Sequence, residues 1–163
     1  MAYTLEEMNE NHRVEVIDIF NYFIQHSFAA YPEEPVDYSF FDYFRELSRD
    51  FPSVVARHVS GGIVGFAFLR PYHMAKTFNR TAEITYFIIP HHTRTGLGSL
   101  LLRELAGRAK QMGIDNLLAS IASLNDPSIR FHEKQGFRQC GRLPKVGSKF
   151  GKDLDVIWMQ LVL

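Results

Sequence analysis

The spacing of apolar positions changes several times along the chain, and each change marks a new element. From Arg13 to Phe28, Val16, Ile17, Ile19, Phe20, Phe23 and Ile24 recur at helical spacing, which predicts a first helix after a short strand at Tyr3 to Leu5. Pro32 and Pro35, set around two glutamates, break that helix. Ser39 then opens a second helical pattern with Phe40, Phe41, Tyr43, Phe44 and Leu47. Between Ser53 and Arg70 the period becomes that of strands. Val54, Val55 and Val59 precede Ser60, Gly61 and Gly62, while Ile63, Val64, Phe66 and Phe68 follow, a hairpin that Pro71 ends. Tyr72 to Asn79 is an irregular, partly basic loop.

The next stretch organises the rest. Ala82 to Ile89 is rich in β-branched and aromatic residues, Pro90 follows, and a loop with Arg94, Gly96 and Gly98 leads into the Leu-rich helical pattern of Leu100, Leu101, Leu105 and Ala109, closed by Gly113. A strand, a glycine loop and a helix in that order build an anion cradle. Glycine lets the backbone approach a ligand closely, and the free N–H groups of the helix's first turn point outward at the positive end of its dipole. After it come a strand at Asn116 to Ala122, a helix from Pro127 to Gln135, and two closing strands around Phe137 to Val146 and Leu154 to Leu163. Asp126 before Pro127 reads as a helix cap followed by Pro in the first turn.

Spacing discriminates among the phosphate-binding designs. A P-loop needs Lys and then Ser or Thr after its last glycine, whereas Gly98 is followed by Ser99 and Leu100. A dinucleotide fingerprint needs a third glycine where Leu101 stands and an acidic residue at the end of the next strand, where the chain has Ser123, Leu124 and Asn125. What remains is Arg94-Thr95-Gly96-Leu97-Gly98, which resembles the pyrophosphate loop of the GNAT superfamily of N-acetyltransferases. The run from Asn125 through Phe131, His132, Glu133, Lys134, Gly136 and Phe137 resembles a second GNAT segment, in which an Asn opens a helix beside the cofactor. Thr81, Ala82, Glu83, Arg94 to Ser99, Asn125 to Ser128, His132 with Glu133, and the tail Val146, Gly147, Lys149, Gly151, Asp155 and Val156 are together similar to the phosphinothricin and methionine sulfoximine acetyltransferase branch.

That resemblance implies an α/β GNAT fold: a mixed, largely antiparallel sheet with helices on both faces, splayed between the central strand and the strand after the glycine-loop helix. It also implies acetyl-CoA as co-substrate and a small-molecule amine, an amino acid or analogue, as acceptor. The cofactor would be held by Tyr86, Phe87 and Ile88 of the central strand, by Arg94, Thr95, Gly96, Leu97, Gly98 and Ser99, and by Asn125. An amine attacks a thioester only when neutral, so a carboxylate must take its proton, and Glu83 is the expected base. His132 stands where other superfamily members carry a leaving-group acid, and an unperturbed imidazole is able to serve as one. For the acceptor, Phe28, Tyr31 and Phe41 are either core aromatics or pocket lining. Between Pro71 and Thr81, where the branch presents Trp and Arg or Lys, this chain has Tyr72, His73, Met74, Ala75 and Lys76, so Tyr72 and Lys76 are the acceptor candidates there. A homodimer is the expected assembly. The competing functions are a protein N-terminal or lysine acetyltransferase, and a non-catalytic acyl-CoA sensor in which Glu83 is idle.

Composition trims this picture. The 163 residues suit one domain, with apolar content enough for a core. Eighteen basic residues balance 18 acidic ones, so no overall field favours nucleic acid or an anionic membrane. The single cysteine, Cys140, excludes an internal disulfide and suits a reducing compartment; it reads as a small core residue more readily than as a nucleophile. No signal-like or membrane-length apolar run is present, so a soluble cytoplasmic protein is expected. His91 and His92 lack metal-site spacing, no metal is expected, and Asp153 and Asp155 read as turn residues.

Overall fold

The computed structural model describes residues 1–163 and contains one seven-stranded sheet flanked by four α-helices. In chain order these are β1 (Tyr3–Glu7), α1 (Arg13–His26), α2 (Phe41–Leu47), β2 (Ser53–His58), β3 (Ile63–Pro71), β4 (Thr81–Ile88), α3 (Leu97–Gln111), β5 (Asn116–Ala122), α4 (Asp126–Lys134), β6 (Arg138–Lys149) and β7 (Lys152–Val162). The strand order is β1-β2-β3-β4-β5-β7-β6, and only β4 and β5 run parallel. This is the largely antiparallel α/β architecture expected.

Both faces of the sheet are buried, and the two-residue period sorts side chains between them. Val54, Ala56, Ala67 and Leu69 pack on Leu97, Leu101, Leu105 and Ala109 of α3. Their neighbours Val55, Phe66 and Phe68 turn the other way, onto Ile17, Phe20 and Ile24 of α1 and Phe41 and Phe44 of α2. The aromatic stripe of the second helix serves both core and cavity. Phe41 is completely buried and is no pocket residue, whereas Phe40, Tyr43, Phe44 and Leu47 line the cavity described below.

Several boundaries differ from the sequence expectation for local reasons. Helix α1 ends at His26, and Ser27 returns its hydroxyl to the Phe23 carbonyl. The α2 pattern begins as a 3₁₀ turn at Tyr38–Phe40 before becoming α-helical. Asp126 is the first residue of α4 and pairs with Arg130, so the cap position falls to Asn125, whose side chain makes no cap bond. The last two strands extend toward one another and turn tightly at Phe150 and Gly151, both with positive φ (53° and 71°). Asp155 is a strand residue, accepting from Lys145 N at 2.7 Å and Arg142 Nε at 2.7 Å, which braces the bulge in β6. Cys140 is exposed on β6 rather than buried.

Two features position the site. The parallel pairing of β4 with β5 covers only Thr81 to Glu83 against Asn116 to Leu118, after which the strands part. Lys149, 1% exposed, sends its Nζ to the carbonyls of Ile24 (2.8 Å), Ser27 (2.8 Å) and Ala30 (2.6 Å), closing the C-terminal end of α1 and fixing the segment after it.

Candidate active site

Where β4 leaves β5, the sheet opens onto a cleft of about 270 Å³. One wall comes from β4 and β5, another from Ala29 to Pro32, and the floor from Phe20, Phe40, Phe44 and Phe68. Asn125, Ser128 and His132 of the α4 region complete it. Tyr31 lies over the mouth, its hydroxyl 3.4 Å from Ser120 Oγ.

Glu83 is the last residue of β4 still paired to β5, opposite Leu118, so its carboxylate sits at the fork itself. Antiparallel register places it beside Arg70 of β3, whose Nη2 donates to Glu83 Oε1 at 2.9 Å. The Glu83 side chain is 12% exposed. On the other face of β4, the Tyr86 hydroxyl donates to His132 Nε2, and the opposite ring nitrogen, Nδ1, donates to the Ser128 carbonyl at 2.6 Å. His132 is 3% exposed, and burial pulls its imidazole down to a pKa of about 4, against a smaller upward effect of the Ser128 carbonyl. Burial pushes the Tyr86 phenol above its ordinary value. At neutral pH both members of this pair are uncharged, with His132 as acceptor and Tyr86 as donor.

The glycine loop lies at the outer end of the gap. Gly96 takes φ +88° and forms the cap of α3 without a side-chain hydrogen bond, and Arg94 also has positive φ (60°). The first turn of α3 carries no acidic residue, Arg108 and Lys110 stand in its last turn, and Arg94 makes no ion pair. An uncompensated positive helix end beside a free guanidinium suits a phosphate group. Gly98 does a second job: a Cβ there would lie 3.0 Å from Phe131 Cε2, so the glycine also lets α4 close onto α3. Ser99 Oγ accepts from Gln135 Nε2 at 2.9 Å, a further tie between the two helices.

Of the residues expected at the site, Glu83, Tyr86, Phe87, Asn125, His132 and Tyr31 line the one cleft. Phe28, Tyr72 and Lys76 do not. Phe28 packs edge-on to Phe150 at 5.7 Å, and Tyr72 meets Phe78 edge-on, also at 5.7 Å, in the loop that holds Lys76; none of them is among the cleft lining. Sequence reasoning missed Arg70. Its signal was present in the alternation Phe66, Phe68, Arg70, which places the guanidinium on the same face of β3 as the two rings.

Residues 16–137 match the profile described as the acetyltransferase (GNAT) family. The chain belongs to this family. This GNAT chain is 32% identical over 152 residues to an L-methionine sulfoximine/L-methionine sulfone acetyltransferase of Pseudomonas aeruginosa, covering 91% of the chain and 87% of the relative. It is 33% identical over 146 residues to the phosphinothricin N-acetyltransferase of Streptomyces viridochromogenes, covering 89% and 79%. A GNAT superfamily phosphinothricin acetyltransferase from Sinorhizobium meliloti, solved in complex with acetyl-CoA, superposes with a TM-score of 0.92 at 26% identity, covering all of this chain and 89% of that one. No helix of this GNAT chain is long and apolar enough to cross a membrane.

Proposed function

We propose that this GNAT enzyme transfers the acetyl group of acetyl-CoA to the primary amine of a small amino acid or analogue, by direct attack. The observation that carries the reading is the position of Glu83 at the fork where β4 and β5 separate, with a small, largely apolar cleft on one side and the gap on the other. Ile84 to Ile88 pair with β3 on one side but have no strand partner on the β5 side, so the backbone groups of Tyr86 to Ile88 that point into the gap are free to hydrogen-bond an extended, amide-bearing chain. Asn125, whose side chain makes no cap bond, faces the same space. The Arg94–Ser99 loop and the first turn of α3 take the pyrophosphate.

In this reading Glu83 takes the proton from the attacking amine, and an unpaired β4 amide stabilises the charge that develops on the thioester oxygen. The coenzyme A thiolate leaves as the amide forms and takes its proton from solvent; the Tyr86 hydroxyl, whose single proton goes to His132 Nε2 in the resting site, can hydrogen-bond the departing sulfur only by turning away from that nitrogen. His132, neutral, orients Tyr86 rather than serving as a charged acid. At about 270 Å³ the cleft lies just below the roughly 300–1,000 Å³ typical of ligand pockets, which supports a small acceptor over a folded protein segment. The names of the relatives, acetyltransferases of methionine sulfoximine and phosphinothricin, support an amino-acid acceptor. We further propose a homodimer, supported by the exposed Tyr22, Tyr38 and Tyr43 on the α1–α2 side and by the unpaired edge of β6, where Leu143 and Val146 are exposed.

The test is Glu83→Gln. The variant is expected to keep acetyl-CoA affinity, since the loop and Asn125 are untouched, and to lose roughly 10²–10⁴-fold in kcat at neutral pH. The deficit should shrink at higher pH, where more of the acceptor amine arrives neutral. Wild-type turnover by the variant would remove Glu83 as base. Binding of acetyl-CoA without acetylation of any amine, by the wild type as well, would favour a sensor.

A further inference from the structure

Besides His132, two side chains that can carry charge, Arg70 and Glu83, line the cleft, and the reaction described above uses only Glu83. Arg70 lies directly across the strand pair from Glu83, and its side chain is 31% exposed. Its Nη2 is engaged by Glu83, its Nη1 makes no hydrogen bond within the chain, and its Nε is the one buried side-chain nitrogen or oxygen in the whole protein without a partner. A buried donor left unpaired costs about 1–3 kcal/mol, and such groups in a native fold call for an explanation. Nε is closed off from the cleft as well as from water, so the donor left free for a ligand is Nη1; Arg70 lines the cavity beside the carboxylate assigned to the acceptor's amine.

Arginine presents paired N–H donors in a fixed plane that matches a carboxylate. With Glu83 2.9 Å away, the pair sets a cationic and an anionic group side by side, the charge pattern complementary to a zwitterion whose carboxylate and ammonium share one carbon. The remainder of the cleft holds no other permanent charge: Phe20, Phe40, Phe44, Phe68 and Leu47 face it, and His132 is neutral. A second anionic group on the acceptor would therefore be desolvated with no partner. We infer that Arg70 binds the acceptor's carboxylate, and that the acceptor is an α-amino acid with an uncharged, mainly apolar side chain. This rests on the acetyl-transfer reading and narrows it, disfavouring acceptors such as phosphinothricin that carry an anionic side chain.

The experiment compares leucine, leucinamide and phosphinothricin as acceptors for the wild type, Arg70→Gln and Arg70→Lys, with acetyl-CoA affinity confirming that each variant is folded. Wild-type enzyme should prefer leucine to leucinamide and to phosphinothricin in kcat/KM. Arg70→Gln should lose roughly 10- to 100-fold of its kcat/KM for leucine, mostly in KM, while Arg70→Lys retains part of it. Loss of the contact with Glu83 affects both leucine and its amide, so the leucine-to-leucinamide ratio isolates the carboxylate contact, and it should fall at least tenfold in Arg70→Gln. An unchanged ratio overturns the role of Arg70 while leaving acetyl transfer standing. A wild type that prefers phosphinothricin overturns the side-chain assignment. A wild type that acetylates no amine overturns the acetyl-transfer reading, and this inference with it.

Discussion

His132 shows how burial rather than identity sets what a residue does. The sequence offers an imidazole with an ordinary pKa, and the fold removes it from water and gives it the Tyr86 hydroxyl to accept. The folded protein therefore keeps His132 neutral down to a pH of about 4, whereas in the unfolded chain it takes a proton near its ordinary 6.5. Between those values the unfolded state binds more protons, so the stability this residue contributes is complete above 6.5 and is lost as pH falls toward 4, on the order of 3 kcal/mol in all. Thermal unfolding of wild type and His132→Gln across that range should show the steeper acid loss in the wild type; parallel profiles would contradict the assignment. Glu83 was legible because its neighbours form a motif. Arg70 was legible only in part: alternation with Phe66 and Phe68 gives its face of β3, but a lone arginine before a proline carries no motif, and the pairing register of β3 with β4 is needed to show that it meets Glu83. Phe28, suggested by an aromatic pattern, and Lys76, suggested by resemblance, are not among the residues lining the cleft, and Phe28 packs on Phe150 instead.

Among the elements, the glycine loop separates two demands that a motif merges. Gly96 needs its hydrogen because of backbone conformation, having φ +88° with open space where a Cβ would stand, whereas Gly98 needs it because of Phe131. Gly96→Ala should therefore lower stability by about 1 kcal/mol through left-handed strain and disturb the cap of α3 that faces the pyrophosphate. Gly98→Ala should destabilise through packing, and Phe131→Leu in the same chain should recover it. Calorimetric titration of acetyl-CoA into that double variant then reads close approach to the ligand alone, with a drop of tenfold or more expected. Unchanged affinity would move the pyrophosphate elsewhere. The order and kind of the elements were plain in the sequence because strand-length apolar runs, such as that of β3 buried on both faces, stand between turn residues and stretches of helical spacing. Their ends were not: the cap at Asn125, the Ser27 hydroxyl on the Phe23 carbonyl and the positive φ angles of the Phe150–Gly151 turn are local features that a hydrophobic pattern does not record.

At the scale of the molecule, the departure of β4 from β5 is the fact from which the site follows, and nothing in either strand's composition announces it. The expectation of a splayed pair came from resemblance, and its physical expression is a parallel ladder that stops at Glu83 and Leu118. The proposed homodimer belongs to this scale too. Light scattering at micromolar concentration should return twice the 18.8 kDa chain mass, and a monomeric mass would remove the proposal. Lys149 adds a dimension of time. A ribosome delivers Ile24, Ser27 and Ala30 more than a hundred residues before the ammonium that gathers their carbonyls, so one wall of the acceptor cleft waits, unfastened, until almost the whole chain has been made.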